Sequence, residues 1–125
     1  MGDVRVLVVD DQEPFRRAMT AVVEETDGFV VVGSAASGEE SLDAAAAVLP
    51  DLVLMDVNLP GIDGLEASRR LCGDEHAPVV VLLSTYDEDQ VDVAGSGAAA
   101  YVPKASFGPD RLAELWQRHG QDAIA

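Results

Sequence analysis

The chain has 125 residues, of which 48% are hydrophobic and 25% charged, so residues 1–125 can form one domain with a buried core. Its net charge of −15, from 23 acidic and 8 basic residues, argues against direct binding to nucleic acid. Its single cysteine excludes an internal disulfide and is typical of a cytoplasmic protein. No apolar run reaches the roughly 18 residues that cross a membrane.

Short apolar runs alternate with helical patterns along the whole chain. Five runs have the composition of buried strands, namely Val4–Val9, Phe29–Val32, Leu52–Met55, Val79–Leu83 and Ala99–Val102. Helical spacing begins at Pro14, at a capping pattern at Ser37, at Leu65 and at Pro109. This alternation predicts an α/β domain.

Continuous apolar strands are buried on both faces, which predicts a parallel sheet with helices on both sides. Right-handed connections then give a doubly wound fold, and we expect the flavodoxin-like five-stranded order 2-1-3-4-5. In such sheets, ligands bind beyond the carboxyl ends of the strands where the strand order reverses. Here that point lies between strands 1 and 3.

Acidic residues end both of these strands. Asp10 and Asp11 follow strand 1, and Asp56 follows strand 3. Two like charges about 4 Å apart repel by on the order of 1 kcal/mol in water and by roughly 4 at an effective dielectric of 20. Oxygen ligands of this kind suit Mg²⁺ that also holds phosphate oxygens. The pattern therefore predicts a site for a divalent metal and a phosphoryl group.

The nucleophile of this site is predicted to be Asp56, because it follows an apolar central strand and projects into the crevice. A carboxylate can form an acyl phosphate. Ser84 and Thr85 follow strand 4 and supply hydroxyls, while Lys104 follows strand 5 and supplies a cation. Singly, each of these residues is more often a helix cap or a solvated loop side chain. Their joint position at four strand ends favours the functional interpretation.

Four segments resemble the receiver domains of two-component response regulators, and the likeness covers essentially the whole chain. The segment Leu54–Leu65 (LMDVNLPGIDGL) is highly specific, and the others are moderately so, namely Val6–Asp11, Val81–Thr85 and Tyr101–Lys104. The resemblance implies phosphorylation of Asp56. It also implies that Mg²⁺ (or Mn²⁺) is held by Asp11, Asp56 and the backbone carbonyl of Asn58, with Asp10 in support.

The resemblance also implies a switch. Ser84, together with Thr85, would move toward the phosphoryl group, Tyr101 would follow inward, and Lys104 would pair with a phosphate oxygen. The face built from the fourth helix, the fifth strand and the last helix would then change. The implied partners are a sensor histidine kinase and a second copy of the chain. Catalysis would be limited to the domain's own phosphorylation and dephosphorylation.

Three features depart from the common receiver pattern. Ala105 stands where many receivers have proline, and Pro103-Lys104 before this small residue resembles the receivers of LuxR/NarL-like transcription factors. The stretch from Ser84 to Tyr101 is about two residues shorter than usual. Its polar, glycine-containing segment 87–97 predicts a short or irregular fourth helix. No DNA-binding domain follows the last helix, so we expect an excised receiver or, alternatively, a stand-alone one.

Two other interpretations remain at this point. Phosphatases of the haloacid-dehalogenase type also use an aspartate at a strand end, but they place an acidic residue two positions later. Asn58 occupies that position and cannot transfer a proton. A receiver-like module that is never phosphorylated is the other alternative, and Asp11, Asp56, Ser84 and Lys104 argue against it.

Overall fold

Five parallel strands and four helices form the part of the chain that the computed structural model describes, residues 3–73, 77–85 and 95–124. The strands are β1 (Val4–Val9), β2 (Phe29–Ala35), β3 (Leu52–Asp56), β4 (Val79–Ser84) and β5 (Ala100–Pro103). The helices are α1 (Glu13–Glu24), α2 (Gly38–Val48), α3 (Gly64–Cys72) and α4 (Pro109–Ile124), with one 3-10 turn at Lys104–Ser106.

The strand order is β2-β1-β3-β4-β5, and every neighbouring pair is parallel. The predicted flavodoxin-like order is therefore confirmed. β1 and β3 lie side by side, with Val9 opposite Met55 at their carboxyl ends. The residues that follow these two strands are thus brought to the same edge of the sheet.

The apolar side chains of the strands divide between two cores, one on each face of the sheet. Leu7 and Val9 pack with residues of α2 and α3, while Val6 and Val8 pack with residues of α1 and α4. Successive strand residues point to opposite faces, so both faces of β1 are buried. If a strand shifted by one residue in its pairing, each of its side chains would point to the opposite face of the sheet. This constraint fixes where each strand ends.

Helix starts agree with the local signals in the sequence. The Ser37 side chain accepts a hydrogen bond from the Glu40 backbone N–H at 3.0 Å, as the predicted cap requires. Asp63 caps α3 in the same way, accepting from Glu66 at 2.9 Å. Pro14 lies in the first turn of α1, where its missing N–H costs nothing.

β2 differs most from the sequence-based expectation, and β3, β4 and β5 differ from it by a single residue at their ends. β2 extends to Ala35 instead of Val32, because Gly33–Ala35 continue the pairing with Leu7–Val9 after a shift in register. Most of the predicted fourth helix falls on residues 86–94, which lie outside the described residues. Within the described ranges, no helix has both the length and the apolar character that crossing a bilayer requires.

Candidate functional site

Three carboxylates meet at the carboxyl edge of β1 and β3. Asp10, Asp11 and Asp56 each offer an oxygen, and these oxygens lie within 4.8 Å of one another. Asp10 is completely buried and Asp56 is 4% exposed, whereas Asp11 is open to solvent. The structure therefore brings together the three acidic residues that the sequence placed at this edge.

Asp10 is held by both its backbone and its side chain. Its N–H donates to the carbonyl of Ala35 at 3.1 Å, and its Oδ1 accepts from the Gln12 N–H at 2.9 Å. The Arg16 guanidinium donates to the Asp10 carbonyl at 2.7 Å. These contacts fix the turn from β1 into α1, and thereby the positions of both carboxylates that follow β1.

Asp56 is held by the sheet and by the start of α3. The next residue, Val57, donates to the Leu83 carbonyl at 3.0 Å and accepts from the Gly64 N–H at 2.9 Å. A Cβ at Gly64 would lie 2.1 Å from the Asp56 carbonyl oxygen. Only glycine allows α3 to begin this close to the backbone that carries Asp56.

Lys104 brings a positive charge to the acidic cluster. Its Nζ lies 2.8 Å from Oδ2 of Asp10 and 3.3 Å from Oδ1 of Asp56, and its side chain is only 14% exposed. Ion pairs this well buried and close are stronger than exposed ones, because water screens them less. One ammonium nevertheless leaves the three carboxylates with a net negative charge.

The pKa of Asp56 is raised from 3.8 to about 6. Burial is the largest cause, and the negative charge of Asp10 raises the pKa further. The Lys104 ammonium acts in the opposite direction and lowers this pKa, but it does not cancel the two effects. The folded chain thus holds a carboxylate that a further cation would stabilise in its ionised form.

The remaining residues predicted for the site lie around this cluster. Ser84 is buried at the end of β4, one residue beyond the β4 partner of Asp56, and it pairs in register with Pro103. Thr85 is exposed beside it. Tyr101 is buried in β5 with 7% of its surface exposed, and Asn58 is exposed two residues after Asp56.

The donor atoms of the cluster suit a hard divalent cation. All three donors are carboxylate oxygens, and Asp11 faces solvent, so bound water could complete the coordination. Mg²⁺ and Mn²⁺ prefer such oxygen ligands and keep several waters, whereas zinc sites favour nitrogen and sulfur. The residues present therefore fit the divalent ion expected from the sequence.

Two residues near the cluster were not predicted from the sequence. The Phe15 ring lies under the Lys104 ammonium, and the Arg16 side chain binds the Asp10 backbone. Phe15 falls on the helical spacing that begins at Pro14, which predicts no more than a helix, and no sequence motif marks Arg16. Their position in the first turn after the acidic pair is the signal that could have drawn attention to them.

A comparison with protein families matches residues 6–117 to the response regulator receiver domain. The chain belongs to this family. The acidic cluster and the lysine lie at the carboxyl ends of three strands, β1, β3 and β5, and the resemblance inferred from the sequence is confirmed.

Curated relatives and solved structures agree with this assignment. The receiver is 45% identical over 116 residues to the response regulator GacA of Pseudomonas viridiflava, covering 91% of this chain and 52% of GacA. It is 35% identical to the transcriptional regulatory protein LiaR of Bacillus subtilis, covering 82% of this chain and 50% of LiaR. It thus spans about half the length of these relatives.

The signal receiver domain of the response regulator NarL from Mycobacterium tuberculosis has the same fold. It superposes with a TM-score of 0.83 at 29% identity, covering 100% of this chain and 99% of that one. The likeness to LuxR/NarL-type receivers noted from Pro103-Lys104-Ala105 is consistent with this match.

The raised pKa of Asp56 makes stability depend on pH. Because the folded chain binds this proton more tightly than the unfolded chain, the free energy of unfolding falls as the pH rises from about 4 to above 6. Asparagine carries no charge, so without divalent ions Asp56→Asn should be more stable than wild type at pH 7.5. At about 1.4 kcal/mol for each pKa unit, a rise from 3.8 to about 6 corresponds to a gain on the order of 3 kcal/mol.

Urea denaturation in the presence of a chelator measures this difference, which should shrink as the pH is lowered toward about 4.5. Asp43→Asn is the matched control, because Asp43 is exposed on α2 and its loss should change stability little at either pH. A gain for Asp56→Asn that stayed the same at both pH values would contradict the assigned cause.

Proposed function

We propose that the receiver accepts a phosphoryl group on Asp56. The observation that carries this proposal is the position of the Asp56 carboxylate, which is buried at a central strand end beside two acidic residues and a lysine. Nucleophiles of this kind need positioning and charge neutralisation more than proton transfer. The site offers both.

In the proposed reaction, an Asp56 oxygen attacks the phosphorus of a donor and forms an acyl phosphate. The bond from phosphorus to the donor atom breaks, and the leaving group keeps its electron pair. The donor is a phosphohistidine of a sensor kinase or a small phosphodonor. With a pKa of about 6, Asp56 is mostly ionised at neutral pH and can act as the nucleophile.

The proposed ligands of Mg²⁺ or Mn²⁺ are Asp11, Asp56 and the backbone carbonyl of Asn58, with Asp10 in support. A bound ion supplies positive charge to the oxygens of the transferred group. Lys104 supplies further positive charge, since its Nζ already lies 3.3 Å from Oδ1 of Asp56. The receiver has no other proposed activity than its own phosphorylation and dephosphorylation.

Phosphorylation is proposed to act as a switch. The new group adds negative charge and three acceptor oxygens to the edge where Ser84 and Lys104 lie. Movement of Ser84 and Thr85 toward it, with Tyr101 adjusting behind them, would alter the face that includes β5 and α4. Because both Ser84 and Tyr101 are buried, a small change at either one must be passed to its packed neighbours.

The output proposed for this switch is transcription. LiaR, half of which the receiver matches, is named as a transcriptional regulatory protein. We infer that the receiver controls a DNA-binding domain elsewhere in a longer cytoplasmic regulator, after contact with a sensor histidine kinase and with possible homodimer formation. A stand-alone receiver that acts through protein contacts is the alternative.

Incubation with acetyl phosphate and Mg²⁺, followed by intact-mass measurement, tests the phosphoacceptor. Wild type should gain one phosphoryl group, and a chelator should reduce the rate at least about tenfold because charge neutralisation is lost. Asp56→Asn should gain none. Asp43→Asn, an exposed aspartate on α2, should be labelled as fast as wild type. Equal labelling of Asp56→Asn and wild type would show that another residue is the acceptor.

Amide NMR spectra test the proposed switch. Beryllofluoride and Mg²⁺, which mimic the phosphoryl group, should shift the amides of residues 95–107 and of α4, because the buried Ser84 and Tyr101 link them to Asp56. Asp56→Asn with the same reagents should show no such shifts. Changes confined to the neighbours of Asp56 would contradict a switch that reaches this face.

A further inference from the structure

The Lys104 ammonium lies against two carboxylates and the face of an aromatic ring. The carboxylates are those of Asp10 and Asp56, at 2.8 and 3.3 Å. The ring is that of Phe15, whose centroid lies 3.7 Å from Nζ. A cation within about 6 Å of a ring centroid is attracted by the negative charge of the ring face, and more strongly where water is excluded.

Phe15 is itself held in place by the start of α1. Its N–H donates to the Gln12 carbonyl at 3.1 Å, directly after the acidic pair. Its ring also lines a cleft of about 130 Å³ between α1 and the loop after β5. The wall of this cleft is apolar apart from the lysine, and its other members are Ala18, Met19, Val22, Leu83 and Phe107.

We propose that Phe15 is a positioning residue for phosphoryl transfer, holding the Lys104 ammonium beside Asp56 through the face of its ring. This inference rests on the proposed function of Asp56. It adds a residue from the first turn of α1 that acts through Lys104.

The physical reason lies in the two roles that Asp10 has to fill. In the structure, Asp10 is the closer partner of Lys104, yet it is also one of the carboxylates proposed to support a divalent ion. If Asp10 supported a divalent ion and Asp56 carried a phosphoryl group, Lys104 would exchange Asp10 for a phosphoryl oxygen. Attraction to a ring face has no fixed bond direction, so the ammonium can shift sideways without losing this partner.

A packing role for Phe15 makes a different prediction. If the ring only filled space, its electron density would not matter and any apolar side chain of similar size would serve. If the ring attracts the ammonium, withdrawal of electron density from its face should weaken the effect while the shape stays nearly constant. Replacement of Phe15 by mono-, di- and trifluorinated phenylalanines separates these two roles.

The measured quantity is the rate of Asp56 phosphorylation by acetyl phosphate with Mg²⁺ present, followed by intact mass. We expect the logarithm of the rate to fall steadily with each added fluorine. The trifluorinated ring should lower the rate about three- to tenfold relative to wild type. Phe15→Leu should be slowed at least as much, and Phe15→Tyr, which keeps the ring face, should stay within about twofold of wild type. A rate independent of fluorine number would overturn the proposal.

Two further variants provide controls. Phe29→Leu makes the same substitution in a half-buried phenylalanine at the start of β2, beside Trp116 and at the other end of the sheet. It should leave the rate unchanged. In a Lys104→Gln background, the fluorinated rings should all give the same rate, because the cation is gone. A fluorine dependence that persisted without Lys104 would also overturn the proposal.

A measurement on the metal-free, unphosphorylated chain tests the contact itself. The ε-methylene protons of Lys104 should be shifted upfield by the Phe15 ring current, in wild type and in Phe15→Tyr. They should return to ordinary values in Phe15→Leu but not in Phe29→Leu. Unshifted protons in wild type would show that the ring does not face the ammonium and would overturn the inference.

Failure of the proposed function gives a different result. If wild type took up no phosphoryl group, Asp56 phosphorylation and the role of Phe15 would both be wrong. If wild type were phosphorylated normally while fluorination had no effect, only the role of Phe15 would be wrong.

Discussion

The structure of this receiver depends on keeping three carboxylates together at one edge of a buried sheet. Asp10 and Asp56 are almost completely inaccessible, and like charges this close repel strongly where water is scarce. Lys104, in the turn that follows β5, offsets part of this repulsion. The packing of the two cores holds the strand ends in register, and the remaining negative charge of the cluster suits a cation.

The surrounding chain is shaped to preserve this arrangement. Gly64 lets α3 begin against the backbone of Asp56, and Arg16 fixes the turn that presents Asp10 and Asp11. Burial disfavours the ionised form of Asp56 and thereby raises its pKa. In such a cluster, each charge that is added or removed changes the balance between the same few groups.

Sequence reasoning predicted the strand order and the acidic cluster for one physical reason. Buried strands are continuous apolar runs, and polar residues at their carboxyl ends must meet at the switch point, so Asp10, Asp11, Asp56 and Lys104 could be placed together. The full length of β2 was missed because Gly33 and Ser34 carry no strand signal and join the sheet only by pairing with β1. Likewise, a periodic pattern places Phe15 on the apolar face of α1 but cannot show that its ring faces an ammonium.

Binding of a divalent ion to the unphosphorylated chain is the most direct test of the central claim. Titration with Mn²⁺, read by the loss of the free-ion electron paramagnetic resonance signal, should show one site in wild type and in Asp43→Asn. Asp11→Asn and Asp56→Asn should each weaken binding by at least about tenfold, because each removes a proposed ligand. Wild-type affinity in both of these variants would show that the carboxylates brought together by β1 and β3 do not form the cation site.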